Sequence, residues 1–377
     1  MPQKGGLEDA IAANSAISDI IGNQGRLTYR GIDIHELAQH SSFEETTYLL
    51  WHGTLPGAPA LQRFTHAFAS VRALPEPVLT MMRDFPRDAT PMNALRTALS
   101  ALAFYDRTAP DRSPAASAAR AMRVTAQLAT IVAAYEQIRR GRHPVPPESE
   151  GSHAQNFMRM LSGAEADPLV VRAMDLALIL HADHELNAST FAARVTAATL
   201  ADLYAAMVAA VSALSGPLHG GATEQVMTML HTVGEPSKAA AYVEERLAAQ
   251  EKIPGFGHRV YRTEDPRATH LRDMSRRLGE HVDNLRWYEI SRAVEEAVMA
   301  RRQLYPNVDF YSASCYFTMG IPVDLFPTIF AVSRVAGWCA HVMEQYADNR
   351  LIRPRAQYVG PQNVRYLPLD RRAQAAS

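Results

Sequence analysis

One stretch near the carboxyl end constrains the fold more than any other. Residues 324–350 place apolar side chains at alternating steps of four and three, the spacing that puts them on one face of a helix. These side chains belong to Leu325, Ile329, Val332, Ala336, Cys339, Met343 and Tyr346. Asp324 is a candidate N-cap, and Pro327 is tolerated in a first turn, where its missing N–H has no helical partner. The sequence therefore predicts a long helix here.

The same periodicity recurs along the chain. A second long helix is predicted over 190–214. Further helices are predicted at about 116–140, 168–186, 236–251 and 283–304. The best β pattern is a short hairpin over 26–34, and residues 143–156, rich in Pro, Ser and Gly, read as a loop. We therefore expect an all-α protein.

Composition excludes several classes of protein. With 377 residues, 47% of them hydrophobic and 20% charged, the chain is typical of a globular protein that can hold more than one domain. A net charge of -1 gives no electrostatic case for binding nucleic acid or an anionic membrane. We find no secretory signal and no apolar run long enough to span a bilayer. Cys315 and Cys339 lie in apolar surroundings, which suits a reducing compartment, so we expect a soluble cytoplasmic protein.

The segment GPLHGG, residues 216–221, interrupts a helical pattern. Pro217 ends the preceding helix, and the glycines let the backbone approach a ligand closely. His219 is then expected to project from a break between two helices. The alternative is an ordinary helix–helix corner with an incidental histidine.

A second histidine, His258, follows a Gly-x-Gly loop in IPGFGHRVYRTEDPRA, residues 253–268. The arginines around it are Arg259, Arg262 and Arg267. Guanidinium groups bind carboxylates or phosphates bidentately, so the segment suits an anionic ligand. A lone Gly-x-Gly is weak evidence, however, and the arginines can equally form a solvated ion-pair face with the nearby Glu264 and Asp265.

Two further histidines, His181 and His184, stand one helical turn apart in LHADHELNAST, residues 180–190. The pair could in principle bind a metal ion, but position 188 is Ala, so the HExxH pattern fails and no further ligands complete a shell. We therefore expect a structural His181, a His184 that faces substrate, and no metal site.

Asp309 lies among Val308, Phe310, Tyr311 and Phe317. A desolvated carboxylate has a raised pKa and suits a general base. The alternative is a capping aspartate before a helix from about Ser312 to Gly320.

In this order and separation, GPLHGG, GFGHRVYRTEDPR and NVDFYS resemble motifs of the citrate synthase family. The resemblance extends over nearly the whole chain, through GRLTYRGIDIHELAQHSSFEETTYLLWHGTLP, HADHELNAST, FAVSR and LIRPRAQYVGP. Within the family, the chain resembles the short prokaryotic form. One departure is Thr90 in Thr90-Pro91-Met92, where many relatives have His-Pro-Met.

The resemblance implies three catalytic residues. Asp309 would abstract a methyl proton from acetyl-CoA, His219 would donate to the thioester oxygen, and His258 would polarise the ketone of oxaloacetate. The implied product of condensation is citryl-CoA, which is hydrolysed to citrate and CoA, a reaction of the tricarboxylic acid cycle. No cofactor is implied, because acetyl-CoA is a substrate.

The resemblance also implies binding residues. Oxaloacetate would contact His184, Asn187, Arg267, Arg334 and Arg353, the last reaching in from the other subunit of a homodimer. CoA would contact Lys252, Gly255, Gly257 and Arg262.

The implied architecture is a large helical domain of residues 1–220 and 321–377, into which a smaller helical domain, residues 221–320, is inserted. Its closure would assemble the site and exclude water. Two alternatives to citrate synthase remain open at this point. One is a 2-methylcitrate synthase that uses propionyl-CoA, and the other is a noncatalytic helical scaffold that binds acyl-CoA.

Overall fold

A computed structural model describes residues 10–109 and 111–372. Within these residues the chain forms sixteen α-helices: α1 (Ile34–His40), α2 (Phe43–His52), α3 (Ala58–Ser70), α4 (Glu76–Arg83), α5 (Pro91–Leu102), α6 (Pro114–Arg139), α7 (His153–Ser162), α8 (Pro168–His181), α9 (Ala188–Ala198), α10 (Leu203–Leu214), α11 (Ala222–Val233), α12 (Ala239–Ala248), α13 (Pro266–His281), α14 (Arg286–Arg302), α15 (Val308–Thr318) and α16 (Phe326–Ala347). The predicted all-α class is confirmed.

A small antiparallel sheet precedes the helices. Its strands are β1 (Ser18–Ile21), β2 (Arg26–Tyr29) and β3 (Ile32–Asp33), in that order. The predicted hairpin over 26–34 corresponds to β2 and β3, whereas β1 had no recognisable signal.

Helix α16 forms the centre of the core. It packs against α6, α8, α9 and α10, and every residue from Phe326 to Val342 is buried. The helix is therefore surrounded on all sides rather than amphipathic. By length and composition, residues 323–347 could cross a membrane, contrary to our expectation, but the apolar window is 100% buried inside the protein. This identifies a core helix.

The start of α16 differs from the prediction. The helix begins at Phe326 without a side-chain cap, and Pro327 occupies its first turn as expected. Asp324 does not cap it. Its carboxylate instead forms an ion pair with Arg139 at the end of α6, which a local capping rule cannot anticipate.

The predicted helix over 190–214 is wrong as a single element. It consists of α9 and α10, which pack against each other and are separated at residues 199–202. Asp202 caps α10 by accepting from the N–H of Ala205 at 3.0 Å, and Leu200 has a positive φ of 64°. A capping aspartate inside a continuous apolar pattern was the missed signal.

The other predicted helices are confirmed as α6, α8, α12 and α14, with shifted ends. Helix α8 stops at His181, five residues before the predicted end at 186. The predicted loop over 143–156 ends earlier, because Ser152 caps α7. Helices α11 to α15 pack mainly on one another, with contacts to the rest of the chain through α13 on α1 and α8 and through α11 on α16.

Candidate active site

Four segments converge on one region of the molecule. They are the turn after α8, the loop between α10 and α11, the loop between α12 and α13, and the first turn of α15. The imidazole rings of His184 and His258 lie 5.1 Å apart between centroids, and Asp309 is hydrogen-bonded to Thr223 at the start of α11. The charge of Arg267 acts on His184, His258 and Asp309, and that of Arg334 acts on His219 and Asp309. Separate stretches of sequence thus meet around these two arginines.

His219 projects from the tight turn that joins α10 to α11. The N–H of Gly220 donates to the carbonyl of Leu214 at 2.9 Å, and a Cβ at Gly220 would lie 2.4 Å from that oxygen. A glycine is therefore needed for this close approach. Burial, together with Arg334, lowers the pKa of His219 to about 4, so its imidazole is neutral at pH 7.

Ser189 is the hydrogen-bonding partner of His219. Its hydroxyl lies 2.8 Å from His219 Nε2, donates to Asn187 Oδ1 at 2.7 Å and accepts from Trp338 Nε1 at 3.1 Å. The backbone N–H of Ser189 also points to Nε2 at 3.4 Å. Both contacts engage Nε2, whereas Nδ1 makes no hydrogen bond within the described residues and is available to a ligand.

His258 is oriented by its own loop. Its Nδ1 accepts from the backbone N–H of Val260 at 3.0 Å and of Tyr261 at 3.1 Å. Burial, with Arg267 nearby, lowers the pKa of His258 to about 4. The neutral ring therefore carries its proton on Nε2, which is free to donate.

The glycines before His258 allow this loop to form. Gly255 and Gly257 have φ angles of 80° and 77°, and a Cβ at Gly255 would lie 2.8 Å from Val226 Cγ2. The N–H of Asn307 donates to the carbonyl of Gly255 at 2.9 Å, which ties the loop to the start of α15.

His184 contacts a residue that the sequence did not single out. Its Nε2 lies 3.2 Å from the Tyr261 hydroxyl. Burial, with Arg267 and His258 close by, holds the pKa of His184 well below its usual value.

His181 instead binds the carbonyl of Ala177 through Nδ1 at 2.8 Å. Among the described residues, no group of three His, Cys, Asp or Glu side chains could hold a metal ion.

Asn187 has a local role that the resemblance did not indicate. It caps α9, since Oδ1 accepts from the N–H of Thr190 at 3.1 Å. Its amide nitrogen donates to Thr190 Oγ1 at 2.9 Å. Both ends of the amide are therefore engaged within the chain.

Asp309 lies in the first turn of α15 but does not cap it. The cap is Asn307, whose Oδ1 accepts from the N–H of Asp309 at 3.1 Å, and the helix begins at Val308 rather than at about Ser312. The capping alternative is therefore wrong. Burial raises the pKa of Asp309, while the hydrogen bond from Thr223 and the charge of Arg267 oppose that rise.

Two predicted arginines are buried at the site. Arg267 forms a bidentate ion pair with Asp265, with N–O distances of 2.9 and 2.7 Å. Asp265 also accepts from the N–H of Val308 at 3.1 Å. The solvated ion-pair alternative therefore does not hold for this pair.

Arg334 is held differently. Its Nε donates to the carbonyl of His181, and its guanidinium lies 4.6 Å from the centre of the Phe330 ring. Burial lowers the pKa of Arg334 to about 10, which still leaves it charged at pH 7. Within the described part of the chain its Nη groups make no hydrogen bond, so they can receive an anion.

The remaining predicted residues stay outside this cluster. Arg353 lies in the extended, exposed stretch after α16 and makes no hydrogen bond or ion pair within residues 10–109 and 111–372. Lys252 and Arg262 are also exposed, although the N–H of Arg262 donates to the carbonyl of Gly22 at 2.9 Å.

A cavity of about 1130 Å³ adjoins the site between α5, α11 and α12. Pro217, Gly221 and Pro254 form its border with the histidine loops, and Thr90, which caps α5, lies on the opposite side. Its lining contains five carboxylates and three arginines, a balance that does not favour a polyanion.

Sequence reasoning missed three residues of the site, Ser189, Thr223 and Tyr261, and considered Asp265 only as part of a solvated ion-pair face. Asp265 had a signal, because an aspartate before a proline is a typical helix start, and it caps α13. The contacts of the other three side chains depend on partners far along the chain, so no local pattern reveals them.

This arrangement defines a class of protein: an all-α enzyme with neutral imidazole donors, a buried carboxylate base and buried arginines for an anionic substrate. The model of "Citrate synthase, C-terminal domain" matches residues 6–355. The chain belongs to the citrate synthase family and is an enzyme of that family.

Individual relatives agree with this assignment. "Citrate synthase 2" from Bacillus subtilis is 48% identical over 98% of this chain and 99% of its own length. The crystal structure of citrate synthase from Thermotoga maritima has a TM-score of 0.89 at 40% identity, covering 99% of this chain and 100% of that one. A ternary complex of the Thermoplasma acidophilum citrate synthase with carboxymethyl coenzyme A and oxaloacetate has a TM-score of 0.92 at 31% identity. The match covers 97% of this chain and 98% of that one. A 2-methylcitrate synthase from Mycobacterium tuberculosis is 40% identical over 97% of this chain and 92% of its own length.

Proposed function

We propose that this chain condenses acetyl-CoA with oxaloacetate and hydrolyses the product to citrate and CoA, as in the tricarboxylic acid cycle. The observation that carries the proposal is a desolvated carboxylate, Asp309, that shares the nearby charges of Arg267 and Arg334 with two neutral imidazoles. The identity of 48% to the Bacillus subtilis citrate synthase, against 40% to the Mycobacterium tuberculosis 2-methylcitrate synthase, supports the acetyl substrate.

The first step is removal of a proton from the acetyl methyl group. Asp309 takes this proton, and the electrons of the C–H bond move toward the thioester oxygen. His219 donates to that oxygen from Nδ1 and stabilises the enol or enolate. A positioned general base is typically worth about 10²–10⁴-fold in rate, so base and donor must act together.

The second step forms the carbon–carbon bond. The enol carbon attacks the ketone carbon of oxaloacetate while Nε2 of His258 polarises the ketone by donating to its oxygen, and the proton that Asp309 removed balances the charge that forms on that oxygen. The product is citryl-CoA. Water then attacks the thioester carbonyl and the C–S bond breaks, which gives citrate and the free thiol of CoA. We propose that no cofactor or metal takes part.

The carboxylates of oxaloacetate would bind Arg267 and Arg334, with His184 beside them. Arg334 is the best supported of these, because its charge is not neutralised by a bidentate carboxylate. Asn187 can contribute only if it gives up part of its capping interaction.

For the binding of CoA, we propose Lys252, Gly255, Gly257 and Arg262. The two glycines leave room for close approach, and the two exposed cations suit phosphate groups.

We further propose the domain division at residues 220 and 320. It is supported by the packing of α11 to α15 mainly on one another. His219 then lies at the junction, while His258 and Asp309 lie in the smaller domain, so that closure would complete the site and exclude water.

A cytoplasmic homodimer with shared sites completes the proposal. The extended segment after α16 exposes several large apolar side chains, among them Val359 at 90% and Tyr366 at 78%. Such surface in an otherwise well-buried chain favours coverage by a second copy. This segment also carries Arg353, which would reach the site of the other subunit.

The decisive experiment measures release of free thiol in the presence of oxaloacetate, comparing kcat/KM for acetyl-CoA and propionyl-CoA. We expect a clear preference for acetyl-CoA. A preference for propionyl-CoA would indicate a 2-methylcitrate synthase, since one methylene in a pocket is worth only about 1–3 kcal/mol. Binding of CoA without thiol release would support the noncatalytic scaffold.

A further inference from the structure

Thr223 makes a contact that the other threonines of its helix do not make. Thr228 and Thr232 on α11 donate to carbonyls of the same helix, at 3.0 and 2.9 Å. Thr223 lies in the first turn, where the residue four positions earlier is outside the helix. Its hydroxyl instead donates to Asp309 Oδ1 at 2.7 Å.

The contact joins two helix starts next to the reacting groups. Thr223 is buried, with 3% of its surface exposed, so water does not compete for its hydroxyl. Among the described residues, Oδ1 of Asp309 accepts only this hydrogen bond and Oδ2 accepts none. The two carboxylate oxygens are therefore not equivalent.

We propose that Thr223 is a positioning residue that engages one oxygen of Asp309 and thereby leaves Oδ2 as the oxygen that removes the substrate proton. This inference rests on the proposed function, because it assigns a partner to the proposed base. The hydroxyl favours the ionised form of the carboxylate, so it also keeps the base deprotonated in a desolvated site.

Other charges face the same carboxylate. Arg267 and Asp265 approach from α13, Arg334 from α16, and Tyr316 lies two turns along α15 itself. Burial raises the pKa of Asp309, whereas Thr223, Arg267 and Arg334 lower it and Asp265 raises it. Of the three groups that lower this pKa, only Thr223 can be replaced without a change of net charge, so its substitution isolates the hydrogen bond.

The test compares the dependence of kcat on pH for wild type and for Thr223→Val, Thr223→Ser and Thr232→Val. Valine replaces the hydroxyl by a methyl group of similar size, and serine keeps the hydroxyl. Thr232→Val controls for loss of a hydroxyl on the same helix. Thr223→Ala is the second variant if valine prevents folding.

We expect the acid limb of the Thr223→Val profile to move to higher pH, because the carboxylate loses a donor that stabilises its ionised form. At the acid end, kcat should fall on the order of tenfold, and serine should restore the wild-type limb. Thr232→Val should follow wild type.

Two results would overturn the inference. One is a Thr223→Val or Thr223→Ala profile that matches wild type. The other is a uniform loss of kcat with an unmoved limb, or a loss that serine fails to rescue, since either indicates a purely structural residue. Absence of thiol release by the wild-type enzyme would instead reject the proposed function itself.

Discussion

The hydroxyl of Tyr261 lies 3.2 Å from Nε2 of His184, and within the described residues it has no other hydrogen-bond partner. Burial raises the pKa of Tyr261, so the phenol stays protonated at pH 7. A residue seventy-seven positions away thus holds the ring of a proposed substrate ligand in place.

We predict that Tyr261→Phe weakens oxaloacetate binding with little effect on acyl-CoA binding. The variant removes the hydrogen-bond partner of Nε2 and leaves the His184 ring free to turn. Loss of one such hydrogen bond costs about 1 kcal/mol, so KM for oxaloacetate should rise roughly fivefold. Steady-state kinetics with each substrate varied in turn measure the effect, and the half-exposed Tyr105, changed to Phe, is the control. An unchanged KM for oxaloacetate would contradict the prediction.

We predict that Asp309→Ala abolishes turnover and leaves oxaloacetate binding largely intact. The proposed contacts of the substrate carboxylates lie at Arg267 and Arg334 and not at Asp309. Isothermal titration with oxaloacetate, together with thiol release, separates the two effects. Arg267→Ala should lose binding as well as turnover. A comparable loss of binding in both variants would show that the roles are wrongly assigned.

Asp265→Asn should destabilise the fold strongly. The change leaves the Arg267 guanidinium buried without its charge partner, and breaking a buried ion pair in this way costs about 3–5 kcal/mol. Urea denaturation at pH 7 measures the free energy of unfolding. Asp273→Asn removes the carboxylate of an exposed pair with Arg276 and should cost under about 1 kcal/mol. Equal effects of the two substitutions would argue against the role given to Asp265.

His153→Phe should make the protein more resistant to acid. His153 is fully buried between Phe43 and Phe68, its ring nitrogens have no partner within the described residues, and burial lowers its pKa to about 3.

The sign of this effect follows from the two pKa values. Below about pH 6.5 this histidine is protonated in the unfolded chain, whereas in the native state it is not protonated until about pH 3. The native state therefore becomes less stable as the pH is lowered through this range. On lowering the pH from 7 to 5, His153 should reduce the free energy of unfolding by about 2 kcal/mol. Unfolding free energies at both pH values test it, with the exposed His143→Phe as control.

Sharing of sites between subunits can be tested by mixing two inactive variants. If Arg353 acts across the interface, subunits carrying Asp309→Ala and subunits carrying Arg353→Ala should form heterodimers with one intact site each. Random exchange should then restore about a quarter of wild-type thiol release. Continued inactivity of mixed dimers, or full activity of a strictly monomeric preparation, would refute the role of Arg353.

The sequence predicted the helical class and most of the chemically important positions, because both depend on local patterns. The spacing of apolar residues indicated α6, α8, α12, α14 and α16. The Gly-Pro and Gly-x-Gly breaks marked the turns that carry His219 and His258. The same local rules failed where distant groups compete, as when Asp324 pairs with Arg139 instead of capping α16.

By itself, the sequence determined that the chain is a helical member of the citrate synthase family, with candidate imidazoles and a candidate carboxylate. Only the tertiary structure decided how these groups are held. Thr223 and Asp309 are 86 positions apart, and Ser189 and His219 are 30 apart. Such partners meet only after several helices have packed, and a side-chain hydroxyl takes whichever acceptor that packing leaves within reach. For this reason the engaged ring nitrogen of His219 and the hydrogen-bonded oxygen of Asp309 follow from the fold and not from any motif.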